Sequence, residues 1–199
     1  MNKTEKPTHL PAYWDQQYQQ GRHGWDAGAV TTPLKDYFDQ LENKALHILI
    51  PGAGFGWEAA YLYHKGFRNT FLLDFSTEAI NNFKINHPEF PVSQVIQTDF
   101  FGHNATYDLI VEQTFFSSLQ RSDRQRYAQK VSELLREKGK LVGLLFNHEF
   151  EFEGPPYGGT EAEYRSYFEQ LFELKVFELA INSIKPRRNR ELFLIFQKK

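Results

Sequence analysis

The chain alternates between short apolar runs and stretches in which apolar residues recur at helical spacing. His47-Ile48-Leu49-Ile50 is continuous and apolar, as buried strands are, and glycines follow it. Glu58 to Lys65 then reads as a helix closed by Gly66. The same unit recurs: Thr70 to Asp74 as a strand, Ser76 to Asn86 as a helix stopped by Pro88, and Val92 to Ile96 as a third strand. Tyr107 to Glu112 and Lys140 to Phe146 read as the fourth and fifth strands. Ser122 with Gln125 looks like a capping box opening a helix to Arg136. A second box, Thr160 with Glu163, opens a helix to Leu171. Leu174 to Ile181 and Leu192 to Gln197 read as paired strands around a polar, basic turn.

Upstream of this pattern the first ten residues are polar and read as loose. The aromatic segment Tyr13 to Tyr18 follows, ended by Gly21, and a helix is expected from Thr32-Pro33, with Thr32 as N-cap and Pro33 in the first helical position. Strands alternating with helices predict an α/β fold, a Rossmann-like open sheet with helices on both faces. The closing hairpin makes it seven-stranded and mostly parallel, with antiparallel pairing at the C-terminus. Ligands of such sheets sit beyond the carboxyl ends of the strands, where strand order reverses.

Composition narrows the classes. A length of 199 residues fits one domain, 1–199. Cysteine is absent, which excludes thiolate catalysis and zinc–thiolate sites, and no metal is expected. A net charge of −2 gives no reason to expect nucleic acid. The opening MNKTEKPTHLP lacks the apolar core of a signal peptide, and no apolar run approaches the ~20 residues needed to cross a bilayer. The expectation is a cytoplasmic, monomeric enzyme acting on a small molecule, with no membrane partner.

The candidate chemistry starts at Pro51-Gly52-Ala53-Gly54-Phe55-Gly56, between the first strand and its helix. Glycines there allow a tight turn and close approach of a cofactor to the backbone. Asp74, ending the next strand, can accept hydrogen bonds from the ribose hydroxyls of an adenosine. In a dinucleotide fingerprint the third position is Gly or Ala; here it is Trp57, whose indole would crowd helix–strand packing. That disfavours a nicotinamide- or flavin-dependent oxidoreductase, which remains the rival enzyme reading beside a non-catalytic cofactor-binding domain. No phosphate-cradling NTPase loop is present. After the third strand, Asp99 can accept from an adenine amino group and Phe100 can stack on the ring. Glu112-Gln113 follow the fourth strand, near the reacting end.

These residues, taken in order, resemble the thiopurine S-methyltransferase family, including its bacterial members and the plant halide/thiol methyltransferases. The matching pieces are Tyr13-Trp14-Asp15 to Gly24-Trp25-Asp26, LIPGAGFGWEAAYL, LLDFSTEAI, TDFF, YDLIVEQTFF, LLREKGKLVGLLF, EGPPY and RNRELF. The resemblance implies a class I methyltransferase fold. It also implies S-adenosyl-L-methionine as cofactor, with S-adenosyl-L-homocysteine as product, and a small nucleophile, a thiol, halide or thiocyanate, as acceptor. Carried over position by position, cofactor contacts fall at Trp14, Tyr18, Trp25, Gly52, Gly54, Asp74, Asp99, Phe100 and Gln113. Tyr157 matches a substrate-side tyrosine of the plant enzymes. The chain departs from the family at Tyr18, where the plant enzymes carry tryptophan. It departs again at Gln113, where tyrosine or arginine is usual, and at Glu112, which replaces an aspartate. Residues 1–30 are then expected to form an aromatic lid, with Trp14 and Tyr18 on one helix face and Trp25 folding back on them. Phe115, Phe116, Tyr157 and Arg190 are the candidates for the acceptor pocket, and His148 is a possible base for an oxygen or nitrogen acceptor.

Overall fold

The structure is a computed structural model that describes residues 6–199. The looseness expected of residues 1–5 lies outside the described residues. Seven strands form one sheet in the order β3-β2-β1-β4-β5-β7-β6. They are β1 (Ile48–Pro51), β2 (Thr70–Asp74), β3 (Val95–Gln97), β4 (Tyr107–Gln113), β5 (Leu135–Phe146), β6 (Phe172–Leu179) and β7 (Glu191–Lys198). The first five run parallel, and β7 lies antiparallel between β5 and β6, as the sequence pattern predicts. The helices are α1 (Pro11–Gln19), α2 (Thr32–Asp39), α3 (Trp57–His64), α4 (Thr77–Asn86), α5 (Phe115–Ser118), α6 (Arg124–Leu134) and α7 (Glu161–Phe168).

Period-two alternation along the central strands divides the core between the two faces of the sheet. Leu49, Ile110 and Leu141 point to the face covered by α6 and α7, where Tyr127, Val131, Tyr164 and Phe168 pack on them. Ile48, Ile50, Leu109, Val111 and Val142 point to the other face, against Leu34 and Phe38 of α2, Leu62 of α3 and Phe83 of α4. Strand order reverses between β1 and β4, so the turns leaving these two strands splay apart and leave a crevice.

Several boundaries differ from expectation, each for a local reason. Residues 92–94 form a 3₁₀ turn rather than the start of β3: Pro91 leads into it, and Val92 is exposed and has no core to face. The Ser122–Gln125 capping box does not form. Ser122 lies inside a 3₁₀ turn, Arg121–Asp123, and α6 begins only at Arg124. That arginine is fully buried, donating to Glu163 (2.9 Å) and to the Tyr157 carbonyl (3.0 Å), so the helix start is set by a tertiary ion pair. The second box forms by half: the Thr160 hydroxyl accepts from the Glu163 amide (3.3 Å), while the Glu163 carboxylate is taken by Arg124. Helix α2 starts one position earlier than expected, with Thr31 rather than Thr32 as N-cap. Helices α6 and α7 each end before their expected last residue, Arg136 and Leu171.

Candidate functional site

The glycine turn leaves β1 with Gly52, Gly54 and Gly56 all at positive φ, a region L side chains rarely occupy. Gly52 is doubly constrained, because a Cβ there would lie 2.3 Å from the ring of Phe115. A Cβ on Gly54 would instead point at the Tyr18 hydroxyl (3.1 Å) and the Trp25 indole nitrogen (3.7 Å). The two glycines thus bring backbone to the edge of a cavity of about 770 Å³ over the carboxyl ends of β1, β2, β4 and β5.

Asp74 ends β2 at the floor of this cavity, with 7% of its surface exposed. Its carboxylate accepts from the amides of Gly54 (3.0 Å) and Ser76 (2.9 Å), which fix both oxygens. Burial pushes its carboxyl above the usual range, and those amides hold it back. Ser76 caps α4 by accepting from the Ala79 amide (3.1 Å), and it donates to Asp15 of α1 (2.6 Å). One serine therefore joins the acid, the helix start and the N-terminal helix.

Helix α1 has no fully buried residue. It is held by Asp15 at the N-terminus of α4 and by aromatic contacts at its other end. The Trp25 ring meets Trp14 (5.4 Å) and Tyr18 (5.6 Å) edge-on, and Tyr18 also meets Phe55 (5.3 Å). Behind them, Arg187 donates to the Trp25 carbonyl (2.6 Å) and pairs with buried Glu191 (3.4 Å). Asp26 accepts from the Trp57 indole (2.8 Å). The tryptophan that breaks the dinucleotide fingerprint is thus a fastening point for the N-terminal segment.

At the opposite wall, Asp99 caps the 3₁₀ turn Phe100–Gly102 by accepting from the Phe101 amide (3.1 Å) while still facing the cavity. Phe100 packs edge-on against Phe115 (5.3 Å). The far end is a run in which every second residue faces inward: Phe146, His148, Phe150 and Phe152, closed by Pro155, Pro156 and Arg190. The His148 and Phe150 rings lie 4.4 Å apart, and neither His148 ring nitrogen has a hydrogen-bond partner.

The sequence candidates therefore separate. Trp14, Tyr18, Trp25, Gly52, Gly54, Asp74, Asp99, Phe100, Phe115 and Arg190 share one cavity. Phe116 points the other way, 1% exposed among Tyr127, Tyr164 and Phe168. The Tyr157 ring lies over Gly154, and its amide donates to the Ser117 carbonyl (2.7 Å). Gln113 accepts from the Thr31 hydroxyl (3.0 Å) and faces Glu191, outside the cavity wall. Glu112 is sealed at 0% exposure, accepting from the Tyr127 hydroxyl (2.6 Å) and the Phe116 amide (2.8 Å). Burial pushes its carboxyl up to about 7. Thr114 between them has φ 64°, costly for a β-branched residue, in the turn that aims Phe115 at the glycines. Phe150 and Phe152 were not among the expected site residues, and the period-two spacing beyond β5 was the available signal for them. Arg187 belongs to the basic run Lys185 to Arg190, which could attract an anionic acceptor; in the structure it holds the Trp25 carbonyl and Glu191.

No helix among the described residues is long and apolar enough to cross a membrane. Compared with known proteins, residues 9–193 match the model of the thiopurine S-methyltransferase family. The chain is 26% identical to probable thiol methyltransferase 2 of Arabidopsis thaliana over 76% of this chain and 69% of that protein. It is 24% identical to thiocyanate methyltransferase 1 of Brassica oleracea over 89% of this chain and 81% of that one. With the thiopurine S-methyltransferase of Vibrio cholerae it shares 23% over 90% and 89%. Among solved structures, it superposes on the 1,6-didemethyltoxoflavin-N1-methyltransferase of Burkholderia thailandensis, bound to S-adenosylhomocysteine. The TM-score is 0.76 and the identity 16%, over 100% and 93% of the two chains. It also superposes on the magnesium protoporphyrin IX methyltransferase of Synechocystis, TM-score 0.75 and identity 14%, over 96% and 99%. At these identities the superpositions establish the class I methyltransferase fold.

Proposed function

The chain belongs to the thiopurine S-methyltransferase family, and we propose that it methylates a small thiol at the aromatic end of the cavity over the carboxyl ends of the strands. The protein is an S-adenosylmethionine-dependent methyltransferase. The observation that carries the acceptor reading is the composition of that end. Phe115, Phe146, Phe150, Phe152, Pro155 and Pro156 form an apolar wall. Of the ion pairs among the described residues, none joins a histidine to a carboxylate on it. Such a wall suits an acceptor that is already a good nucleophile, as a thiolate is, and the thiol and thiocyanate methyltransferase relatives support the same reading.

The residues fit the cofactor. The positive-φ backbone at Gly52 and Gly54 would take its amino-acid portion, the Asp74 carboxylate its ribose hydroxyls, and Asp99 with Phe100 its adenine. Bound there, the cofactor supplies a methyl group already activated by a sulfonium. The rings of Trp14, Tyr18 and Trp25 would close over it and exclude water; an aromatic face holds a cation by ~0.5–2 kcal/mol. The Phe115 and Phe150 rings would hold the acceptor in line, with reacting atoms about 3–3.5 Å apart. Arg190, which lines the same cavity, would pair with an anionic acceptor.

The test is methyl transfer to a panel of small aromatic and aliphatic thiols, thiocyanate and iodide, with calorimetric binding of S-adenosylhomocysteine and NAD(H). Thioether formation, with binding of the first ligand alone, is expected. Tight cofactor binding without turnover on any acceptor overturns the catalytic reading in favour of a binding domain. Binding of NAD(H) alone overturns both.

A further inference from the structure

Apart from the residues that line the cavity, the C-terminal ends of α3 and α4 come together. His64 is the last residue of α3, His87 is the C-cap of α4, and Glu89 follows after Pro88. One donor atom from each of the three side chains lies within 4.8 Å of the other two. His64 Nε2 is 3.1 Å from Glu89 Oε1, and His87 Nδ1 is 3.7 Å from the same oxygen. Tetrahedral zinc with bonds of about 2.0–2.1 Å sets neighbouring ligand atoms about 3.3–3.4 Å apart, between these two distances.

We propose that His64, His87 and Glu89 form a binding site for a divalent first-row transition ion, with solvent completing its coordination. Two imidazoles and a carboxylate suit zinc, nickel or copper rather than magnesium or calcium, which prefer oxygen ligands. Charge favours a cation. Both helices direct the negative end of their dipole at the site. No lysine or arginine competes among the described residues: Glu89 pairs only with the two histidines, and neighbouring Lys65 turns away to Asp39 (2.7 Å). Pre-organisation comes from the core side, where the His87 ring is held against Phe83 (4.9 Å) and Trp57 (6.0 Å). His64 and Glu89 are exposed, so the ion has an entry path. A bound ion would clamp together the two helices that follow the glycine turn and Asp74.

The untagged full chain, stripped with chelator, would be titrated with ZnCl₂ and NiCl₂ by calorimetry. Nickel would also be followed by tryptophan fluorescence, since the Trp57 ring touches His87. Saturation at one ion per chain, with quenching by nickel, is expected. His64→Ala and Glu89→Gln change exposed side chains, so both variants should fold; each should weaken binding at least about tenfold, the loss seen when even an outer-shell partner is removed. Trp57→Phe should keep the calorimetric signal and lose most of the quenching. The proposal is overturned if the chain shows no saturable binding, or if both ligand variants bind as tightly as the parent.

Discussion

Two strand-end carboxylates on opposite sides of the sheet's switch point do different work. Asp74 closes β2 at the edge of the cavity, fixed by two backbone amides yet facing the open space. Glu112, near the end of β4, is sealed under Tyr127 and the Phe116 amide, with no surface left for a ligand. The first, held by backbone, is the proposed binding group; the second is a brace that bends the chain so Phe115 can reach Gly52. The same contrast runs through the two ends of the cavity. The floor of the proposed cofactor end is made of glycine backbone and acids, whereas the proposed acceptor end is made mainly of aromatic side chains projecting from residues 146–152. A backbone-built end tolerates little variation, and a side-chain-built end can be altered one residue at a time.

The largest effect that would sharpen this contrast concerns Glu112. Its carboxyl is pushed up to about 7 in the folded chain, against 4.5 for the free group. The folded state therefore holds a proton that the unfolded chain releases first. The stabilisation is complete below about pH 4.5 and is lost as the pH rises through about 7, amounting to about 3 kcal/mol. Urea unfolding between pH 4 and 8 should show Glu112→Gln removing about this much of the change in stability across that range. An unchanged slope would mean that Glu112 is not the buried, proton-retaining brace described.

Next in size is Asp74→Ala. In the folded variant, calorimetry should show S-adenosylhomocysteine binding at least tenfold weaker, about 1.4 kcal/mol. Equal affinity would remove Asp74 from the cofactor end. The smallest effect is expected of Phe150→Ala, which should raise the acceptor KM severalfold and leave cofactor affinity within about twofold, because its ring belongs to the far wall. If cofactor affinity falls instead, the two ends are not separable as drawn.

The proposed cofactor end was legible because its constraints are local. A glycine that must adopt positive φ, a strand that ends in an acid and a turn that caps itself are each visible within a few residues. The Ser122–Gln125 box misled for the opposite reason: the motif is local, but Arg124 commits to Glu163 across the fold and moves the helix start. Phe115 and Phe116 are adjacent and chemically identical, yet one faces the cavity and the other the core. Only the direction of the Thr114 turn distinguishes them. Gln113 was drawn toward the reacting end by its place in the chain, and the fold turns it to Thr31 and Glu191.

The order of amino acids determined the alternation of strands and helices, the parallel sheet with its antiparallel close, and the glycine–acid pair at the switch point. It could do so because periodicity and backbone conformation are properties of short segments. Which aromatic rings share a cavity, which arginine is buried, and which carboxylate meets solvent were decided only when distant segments packed. Those outcomes depend on desolvation and on partners that no local pattern encodes.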